Sequence, residues 1–356
     1  MVEESEIRVV HQGGTNANAN ATRRLFGSSR FLLCASGHHV KVFSILTEEC
    51  VQELRGHTDL VTGLLPRPLY VLQIYSCSVD GTIRLWDFTD GVLIKTFAVG
   101  YPIYSFYGSS SHQEVLFIVT PSQRKHAFQL LAVRLPQRSD PLVDATDVSV
   151  VLEDVGSNPA AVSFGREVSE KSYRFSLKED NKKGGRNTFT CVTCHPKDDC
   201  VASGHEDGKI RLWRNFNHRK EYTYSTLHWH HSAISSLCFT PEGTNLLSGG
   251  VESVLVQWRY KQESQLDYLP RLGAAITHIA VSPDGTLFST SHSDNKITLI
   301  HGGVKVSAII QGLVQGDVQT DLLVDPRSKA LVLNGKPGHL QFYSLQRDKL
   351  LFNVRL

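Results

Sequence analysis

One phrase recurs along the chain, and it restricts the fold more than any other feature. It first reads Ser78-Val-Asp80-Gly81-Thr-Ile-Arg-Leu-Trp86. It returns as His205-Glu-Asp207-Gly208-Lys-Ile-Arg-Leu-Trp213 and as Gly250-Val-Glu252-Ser253-Val-Leu-Val-Gln-Trp258. Weaker copies are His292-Ser-Asp294-Asn295-Lys-Ile-Thr-Leu-Ile300, Gly338-His-Leu-Gln-Phe-Tyr343 and Gly37-His-His-Val-Lys-Val-Phe43. The closing aromatic or apolar residue falls at 43, 86, 213, 258, 300 and 343, a spacing of 42–45 residues apart from one interval of 127, close to three periods. A fixed period of this length marks a chain of similar supersecondary units that bury their faces only by stacking on one another.

Each unit reads as short strands. Around the first full copy they are Leu60–Leu65, Val71–Ser76, Thr82–Trp86 and Val92–Phe97, separated by Pro66 and Pro68, Asp80-Gly81 and Asp90-Gly91. Asp-Gly between apolar runs signals a tight hairpin, because glycine takes positive φ without steric cost. Thr240-Pro-Glu-Gly243 and Ser282-Pro-Asp-Gly285 mark turns of later units, and helical periodicity is nearly absent. A strand quartet repeated at this period predicts a propeller blade.

The motif residues carry a family resemblance. Gly56-His57, Ser78, Asp80 and Trp86-Asp87 resemble a WD40 repeat, a family in which His, Ser, Asp and Trp form a hydrogen-bonded tetrad inside one blade. The resemblance implies a structural tetrad of His57, Ser78, Asp80 and Trp86, with partial tetrads around Asp207 and Trp213, around His230, Glu252 and Trp258, and at Asp294. The fold expected is therefore all-β: a WD40-type β-propeller of seven or eight blades, one of them incomplete. It forms a single domain over 1–356, with units near 22–55, 56–98, 99–135, 157–177, 187–224, 230–268, 273–311 and 318–356. The unit at 157–177 is the incomplete one, because the stretch 157–187 holds sequence for only one strand after Ser157–Phe164 before the polar loop 178–187. That shortage predicts early proteolysis near Lys171, Lys182 and Lys183.

Further runs, Ser76–Asp87, Ile210–Phe216, Leu227–His231 and Lys329–Tyr343, with the opening Val2-Glu-Glu, look like a narrower family: nucleolar WD-repeat subunits of the small-subunit processome. Its members continue into a second propeller and a charged tail, so this chain reads as an N-terminal part. The resemblance implies a location in the nucleus and nucleolus, a role in pre-18S rRNA processing and support of RNA polymerase I transcription. It implies partners among other processome WD-repeat subunits, with pre-rRNA or the U3 snoRNP as RNA partners.

The chemistry-bearing residues point the same way. Ser78, His57 and Asp80 are the ingredients of a nucleophile triad, but no Gly-x-Ser-x-Gly elbow exists, and mutual satisfaction of buried polar groups explains them. Cys191-Val-Thr-Cys194-His195 spells a haem-attachment string, yet it lies on a strand-like run, where residues three apart point to opposite faces. The same geometry argues against zinc on Cys191, Cys194, Cys200 and His205. His228, His230 and His231 read as turn and tetrad members. Lys182, Lys183 and Arg186 are candidates for phosphate contact, with a solvated loop as the favoured reading. No catalytic, metal or cofactor set is expected, and no small-molecule substrate.

Composition agrees. The 37 Lys and Arg against 35 Asp and Glu leave a net charge of +2, too balanced to announce a nucleic-acid binder. Apolar residues are 41% of the 356, sufficient for a packed core. No apolar run is long enough to span a membrane, which is not an expected partner, and the acidic opening is not a secretory signal. Seven cysteines without such a signal read as reduced thiols. The function expected is a non-enzymatic scaffold, with a WD40 adaptor such as a ubiquitin-ligase substrate receptor, or a hydrolase hidden in the ring, as alternatives.

Overall fold

The computed structural model describes residues 25–27, 30–44, 47, 49–108, 115–121, 128–135, 189–214, 223–262, 266–269, 272–282, 284–302, 305–311, 321–324, 330–334, 339–344 and 349–355. These residues form strands and turns with no helix among them.

The strands fall into seven antiparallel sheets, each made of consecutive strands. The first holds β1 (Leu25–Gly27), β2 (Phe31–Ser36), β3 (His39–Ser44) and β4 (Cys50–Leu54). The second holds β5 (Val61–Pro66), β6 (Gln73–Ser78), β7 (Thr82–Asp87) and β8 (Val92–Ala98). The third shows three strands, β9 (Ser105–Gly108), β10 (Val115–Pro121) and β11 (Phe128–Arg134). The fourth holds β12 (Phe189–Cys194), β13 (Cys200–His205), β14 (Lys209–Arg214) and β15 (Thr223–His228), and so runs past the expected boundary at 224. The fifth holds β16 (Ile234–Phe239), β17 (Asn245–Gly250), β18 (Leu255–Arg259) and β19 (Leu266–Leu269). The sixth holds β20 (Ile276–Val281), β21 (Leu287–His292), β22 (Ile297–His301) and β23 (Lys305–Ile310). The seventh holds β24 (Asp321–Val324), β25 (Ala330–Asn334), β26 (His339–Ser344) and β27 (Lys349–Arg355). The expected unit at 157–177, the loop 178–187 and Lys171 lie outside the described residues.

The first strand of each sheet lies beside the first strand of the next. Thus β1 neighbours β5, β5 neighbours β9, β9 neighbours β12, β12 neighbours β16, β16 neighbours β20, β20 neighbours β24 and β24 neighbours β1. In four sheets the first strand is bulged against the second, at Val61/Gly63, Phe189/Cys191, Ile234/Ser236 and Ile276/His278. A bulge there sharpens the local twist at the inner strand pair.

The core lies between sheets. Leu33, Val42, Ile74 and Trp86 join the first two sheets. Ile83, Phe97, Phe106 and Ile118 join the second and third. Ala202, Leu212, Ile234 and Trp258 join the fourth and fifth, and Leu247, Ile276, Phe288 and Ile300 the fifth and sixth. Sandwiched sheets bury both faces, so β6, β13 and β17 read as near-continuous buried runs rather than alternating ones.

One strand starts later than its sequence suggests. Val71 and Leu72 were expected in the second strand of the second sheet, but β6 begins at Gln73. The residues before it are held in a turn, with Tyr70 N–H donating to Arg67 C=O and Gln73 N–H to Tyr70 C=O.

Candidate functional site

In the second sheet the imidazole of His57, from the connection between sheets, reaches two strands at once. Its Nδ1 lies 2.8 Å from Asp80 Oδ2 and its Nε2 2.7 Å from Ser76 Oγ. Trp86 Nε1–H donates to the same Ser76 oxygen at 2.8 Å. The carboxylate takes the protonated Nδ1 side, so Nε2 accepts from the Ser76 hydroxyl. The tetrad serine is therefore Ser76 and not Ser78, which corrects the sequence expectation. Both serines lie on one face of β6, but β6 pairs Ile74 with Trp86 and Ser76 with Arg84, which brings Ser76 under the indole. Ser78 instead accepts from Asp80 N–H at 3.1 Å and donates to Asp59 C=O at 2.9 Å, fixing the turn.

The fifth sheet repeats this arrangement with a longer carboxylate. His230 Nδ1 is 3.1 Å from Glu252 Oε2, its Nε2 is 2.8 Å from Ser248 Oγ, and Trp258 Nε1–H donates to Ser248 at 2.9 Å. Glu252 also accepts from the backbone N–H groups of His231 and Ser232, as Asp80 accepts from that of Thr58.

Two sheets use a different source of imidazole. In the fourth, His205 at the end of β13 bonds Ser203 Oγ at 2.9 Å, and Trp213 Nε1–H donates to Ser203 at 2.9 Å. Asp207 accepts from Lys209 N–H and faces Lys209 and buried Arg211, each at 3.7 Å. In the sixth, His292 lies 3.0 Å from both Thr290 Oγ1 and Thr298 Oγ1, and its Nδ1 is 2.9 Å from Ala274 C=O. Asp294 is not part of that network: it pairs at the surface with Lys296 at 2.8 Å. The expectation that Asp294 belongs to a partial tetrad is thereby corrected, because Ala274 C=O already occupies the ring nitrogen a carboxylate would take.

Sequence reasoning missed Ser76, Ser203, Ser248, Thr290, His205 and His292. A constant ten-residue interval to Trp86, Trp213, Trp258 and Ile300 marks the four hydroxyl residues. An imidazole eight residues before the closing position marks the two histidines.

Burial lowers the pKa of His57 and of His230, opposed by Asp80 and Glu252, and holds both rings neutral near pH 7. Burial also lowers those of His205, with nearby Arg211 adding to it, and of His292. Burial alone would raise Asp80, but the His57 ring and the Thr82 hydroxyl hold it well below the usual carboxylate range. Ser76, His57 and Asp80 thus have the spacing of a nucleophile triad. The Ser76 oxygen, however, is fully buried in mid-strand and capped by the Trp86 indole, so it has no approach for a substrate. What the network does is lock the connection, the hairpin turn and two strands of a sheet together.

The Cys-x-x-Cys-His string is also absorbed into packing. His195 Nε2–H donates to Gly243 C=O at 2.8 Å, its Nδ1 accepts from the N–H groups of Lys197 and Asp198, and its ring lies 4.3 Å from that of Tyr260. Burial pushes the Cys191 thiol up to about 12 and Cys200 to about 11. Among the described residues no three His, Cys, Asp or Glu side chains group as metal ligands. An open cleft beside His195 carries Lys197, Arg259 and Lys261 against Asp198, Glu242 and Asp267, so its charge is balanced. Lys182, Lys183 and Arg186 lie outside the described residues.

Consecutive antiparallel sheets whose first strands lie side by side, three of them pinned by a Trp–Ser–His network, define a WD40-type β-propeller. The chain belongs to the WD repeat-containing protein 75 family. The model of that family's first β-propeller matches residues 25–170 and 168–295, and the model of its second β-propeller matches 322–356. WD repeat-containing protein 75 of Danio rerio is 56% identical over 99% of this chain, and that of Homo sapiens 50% over 99%. U3 small nucleolar RNA-associated protein 17 of Schizosaccharomyces pombe is 23% identical over 91%. The chain spans 45–46% of the length of these relatives.

Proposed function

We propose that the chain is a non-enzymatic scaffold in ribosome biogenesis. It acts as a subunit of the small-subunit processome in the nucleolus, serving pre-18S rRNA processing and supporting RNA polymerase I transcription. Its partners are other WD-repeat subunits of that assembly, with pre-rRNA and the U3 snoRNP as the RNA they share. The observation that carries the reading is identity of 50–56% across 99% of the chain to proteins of one family, joined by a more distant relative named for association with U3 small nucleolar RNA. The site geometry supports a scaffold: the acid–base groups of the tetrads are used up inside the sheets, which leaves the turns on the two faces as the parts free to vary.

The test is made on the chain itself, since its relatives are about twice as long. A tagged form is expressed in cells depleted of the endogenous relative. Co-purification of U3 RNA and pre-rRNA, restored 18S maturation and restored labelling of nascent rRNA are expected. Purification with a cullin adaptor and no pre-ribosomal RNA would replace the reading with a ubiquitin-ligase adaptor.

A further inference from the structure

Asp-Gly occurs four times in the chain, at Asp80-Gly81, Asp90-Gly91, Asp207-Gly208 and Asp284-Gly285. The pair has a chemistry of its own. Glycine has no Cβ to shield its amide nitrogen or to restrict the backbone, so that nitrogen can close on the preceding side-chain carboxyl and form a five-membered succinimide. Two kinds of hydrogen bond oppose the closure: one that holds the carboxylate, and one that engages the glycine N–H.

Three of the four pairs have both. Asp80 accepts from His57 Nδ1–H, from Thr58 N–H and from the Thr82 N–H and hydroxyl, while Gly81 N–H donates to Ser78 C=O at 3.2 Å. Asp207 accepts from Lys209 N–H, and Gly208 N–H donates to His205 C=O at 3.2 Å. Asp284 accepts from the Ser282 and Thr286 hydroxyls and from Thr286 N–H, and Gly285 N–H donates to Ser282 C=O at 2.9 Å.

Asp90-Gly91 has neither. It lies in the turn between β7 and β8, with Asp90 exposed. Among the described residues none hydrogen-bonds or ion-pairs with the Asp90 carboxylate, and Gly91 N–H has no acceptor. The turn is held instead from Asp87, whose carboxylate accepts from the Thr89 N–H and hydroxyl at 3.1 and 2.7 Å. Exposed turn tips are also where the backbone moves with least hindrance.

We propose that Asp90 is a modification site, where aspartate converts spontaneously to isoaspartate. Gly91 N attacks Asp90 Cγ. The N–Cγ bond forms, a Cγ–O bond breaks, and the amide proton leaves with that hydroxyl as water. Water then opens the ring. Addition at Cγ restores aspartate; addition at the main-chain carbonyl carbon leaves Gly91 joined through Cγ and frees the α-carboxylate. Nothing is oxidised or reduced, and the mass is unchanged. The freed α-carboxylate is the group that an S-adenosylmethionine-dependent isoaspartyl carboxyl methyltransferase esterifies, its oxygen taking the methyl from the sulfonium. The modified turn is thus a substrate for that class of enzyme. The inference does not depend on the scaffold reading.

The experiment ages the full, folded chain at neutral pH in water enriched in heavy oxygen. Its peptides are then sequenced by electron-transfer mass spectrometry, which distinguishes isoaspartate from aspartate. Each ring opening puts one heavy oxygen into the residue. Label and isoaspartate are expected at Asp90 about tenfold faster than at Asp80, Asp207 or Asp284, which react only through local opening. In guanidinium the four should react at similar rates. Asp90→Glu, whose ring would be six-membered, should lose the reaction, and Asp90→Asn should form isoaspartate faster, releasing ammonia in place of water. The purified methyltransferase should methylate the aged chain more than the aged Asp90→Glu variant. Reading each peptide separately keeps products of Asn334-Gly335 out of the comparison. Reaction at Asp90 no faster than at the three bonded pairs, or equal methylation of the aged chain and the Asp90→Glu variant, would overturn the proposal.

Discussion

At the scale of the residue, the Trp–Ser–His network puts most of its value in what would be left behind if one member were lost. Asp80→Ala would leave the buried His57 Nδ1–H with only the Thr82 hydroxyl, 3.2 Å away, at a cost of about 1–3 kcal/mol. Asp294→Ala removes only a surface partner of Lys296 and should cost about 0–1 kcal/mol. Denaturant midpoints of the two variants check this, and equal losses would contradict the difference between the sheets. The same burial sets a pH dependence. His57, His195, His205, His230 and His292 all have folded pKa values lowered from about 6.5. The unfolded chain therefore takes up protons first, and the stability present above pH 6.5 is lost as pH falls below it. Asp80 and Glu252 are lowered in the fold as well, so a second loss sets in below their ordinary values, near pH 4. Midpoints measured between pH 8 and 3 should fall in these two stages; a flat profile from 7 to 5 would mean the imidazoles are not held neutral.

At the scale of the element, the hairpin turns couple neighbouring sheets. Gly208, in the turn between β13 and β14, has φ of 77°, and a Cβ there would come within 2.3 Å of His230 C=O. Gly100 has φ of 79° with nothing within 4 Å. Both lose a glycine's ease in the left-handed region, which costs about 1 kcal/mol. Gly208→Ala must also push back the connection that carries His230, so it should cost about 1–3 kcal/mol more. Thermal unfolding of the two variants measures the difference, and hydrogen exchange should show the fifth sheet loosened only by Gly208→Ala.

At the scale of the whole molecule, the seventh sheet has a double character. Residues 322–356 match the family's second propeller, yet β24 lies beside both β20 and β1. Tyr343 packs on Ile297, Leu299 and Ile310 of the sixth sheet. In this chain the last sheet stands between the sixth and the first. Tyr343→Ala should therefore destabilise the chain by about 2–4 kcal/mol and raise hydrogen exchange in β22 and β23; unchanged exchange there would show that the contact contributes nothing. Net charge makes a separate prediction. With a net charge of +2 and Lys182, Lys183 and Arg186 as its candidate phosphate contacts, the isolated chain should bind RNA weakly, with a salt slope of about −2 to −3. Steep, nanomolar binding in a salt titration would reveal a basic surface elsewhere.

The repeat period, the Asp-Gly turns and the closing tryptophans were enough to determine an all-β propeller from the sequence alone, because each is a local signal repeated at fixed spacing. The tertiary structure decided what local spacing leaves degenerate. Ser76 and Ser78 share a face of β6, and its register against β7 gives the physical meaning of the ten-residue interval, by which Ser76 meets Trp86 and His57. The imidazole comes from the connection in the second and fifth sheets, as His57 and His230, and from a strand end in the fourth and sixth, as His205 and His292. Val71 and Leu72 have strand composition, and only the bonds that bend Arg67–Gln73 into a turn put them in water. Period and composition fix which strands pair in sequence; register, ring packing and backbone bonds between distant residues fix which side chains are sealed inside and which are left in water.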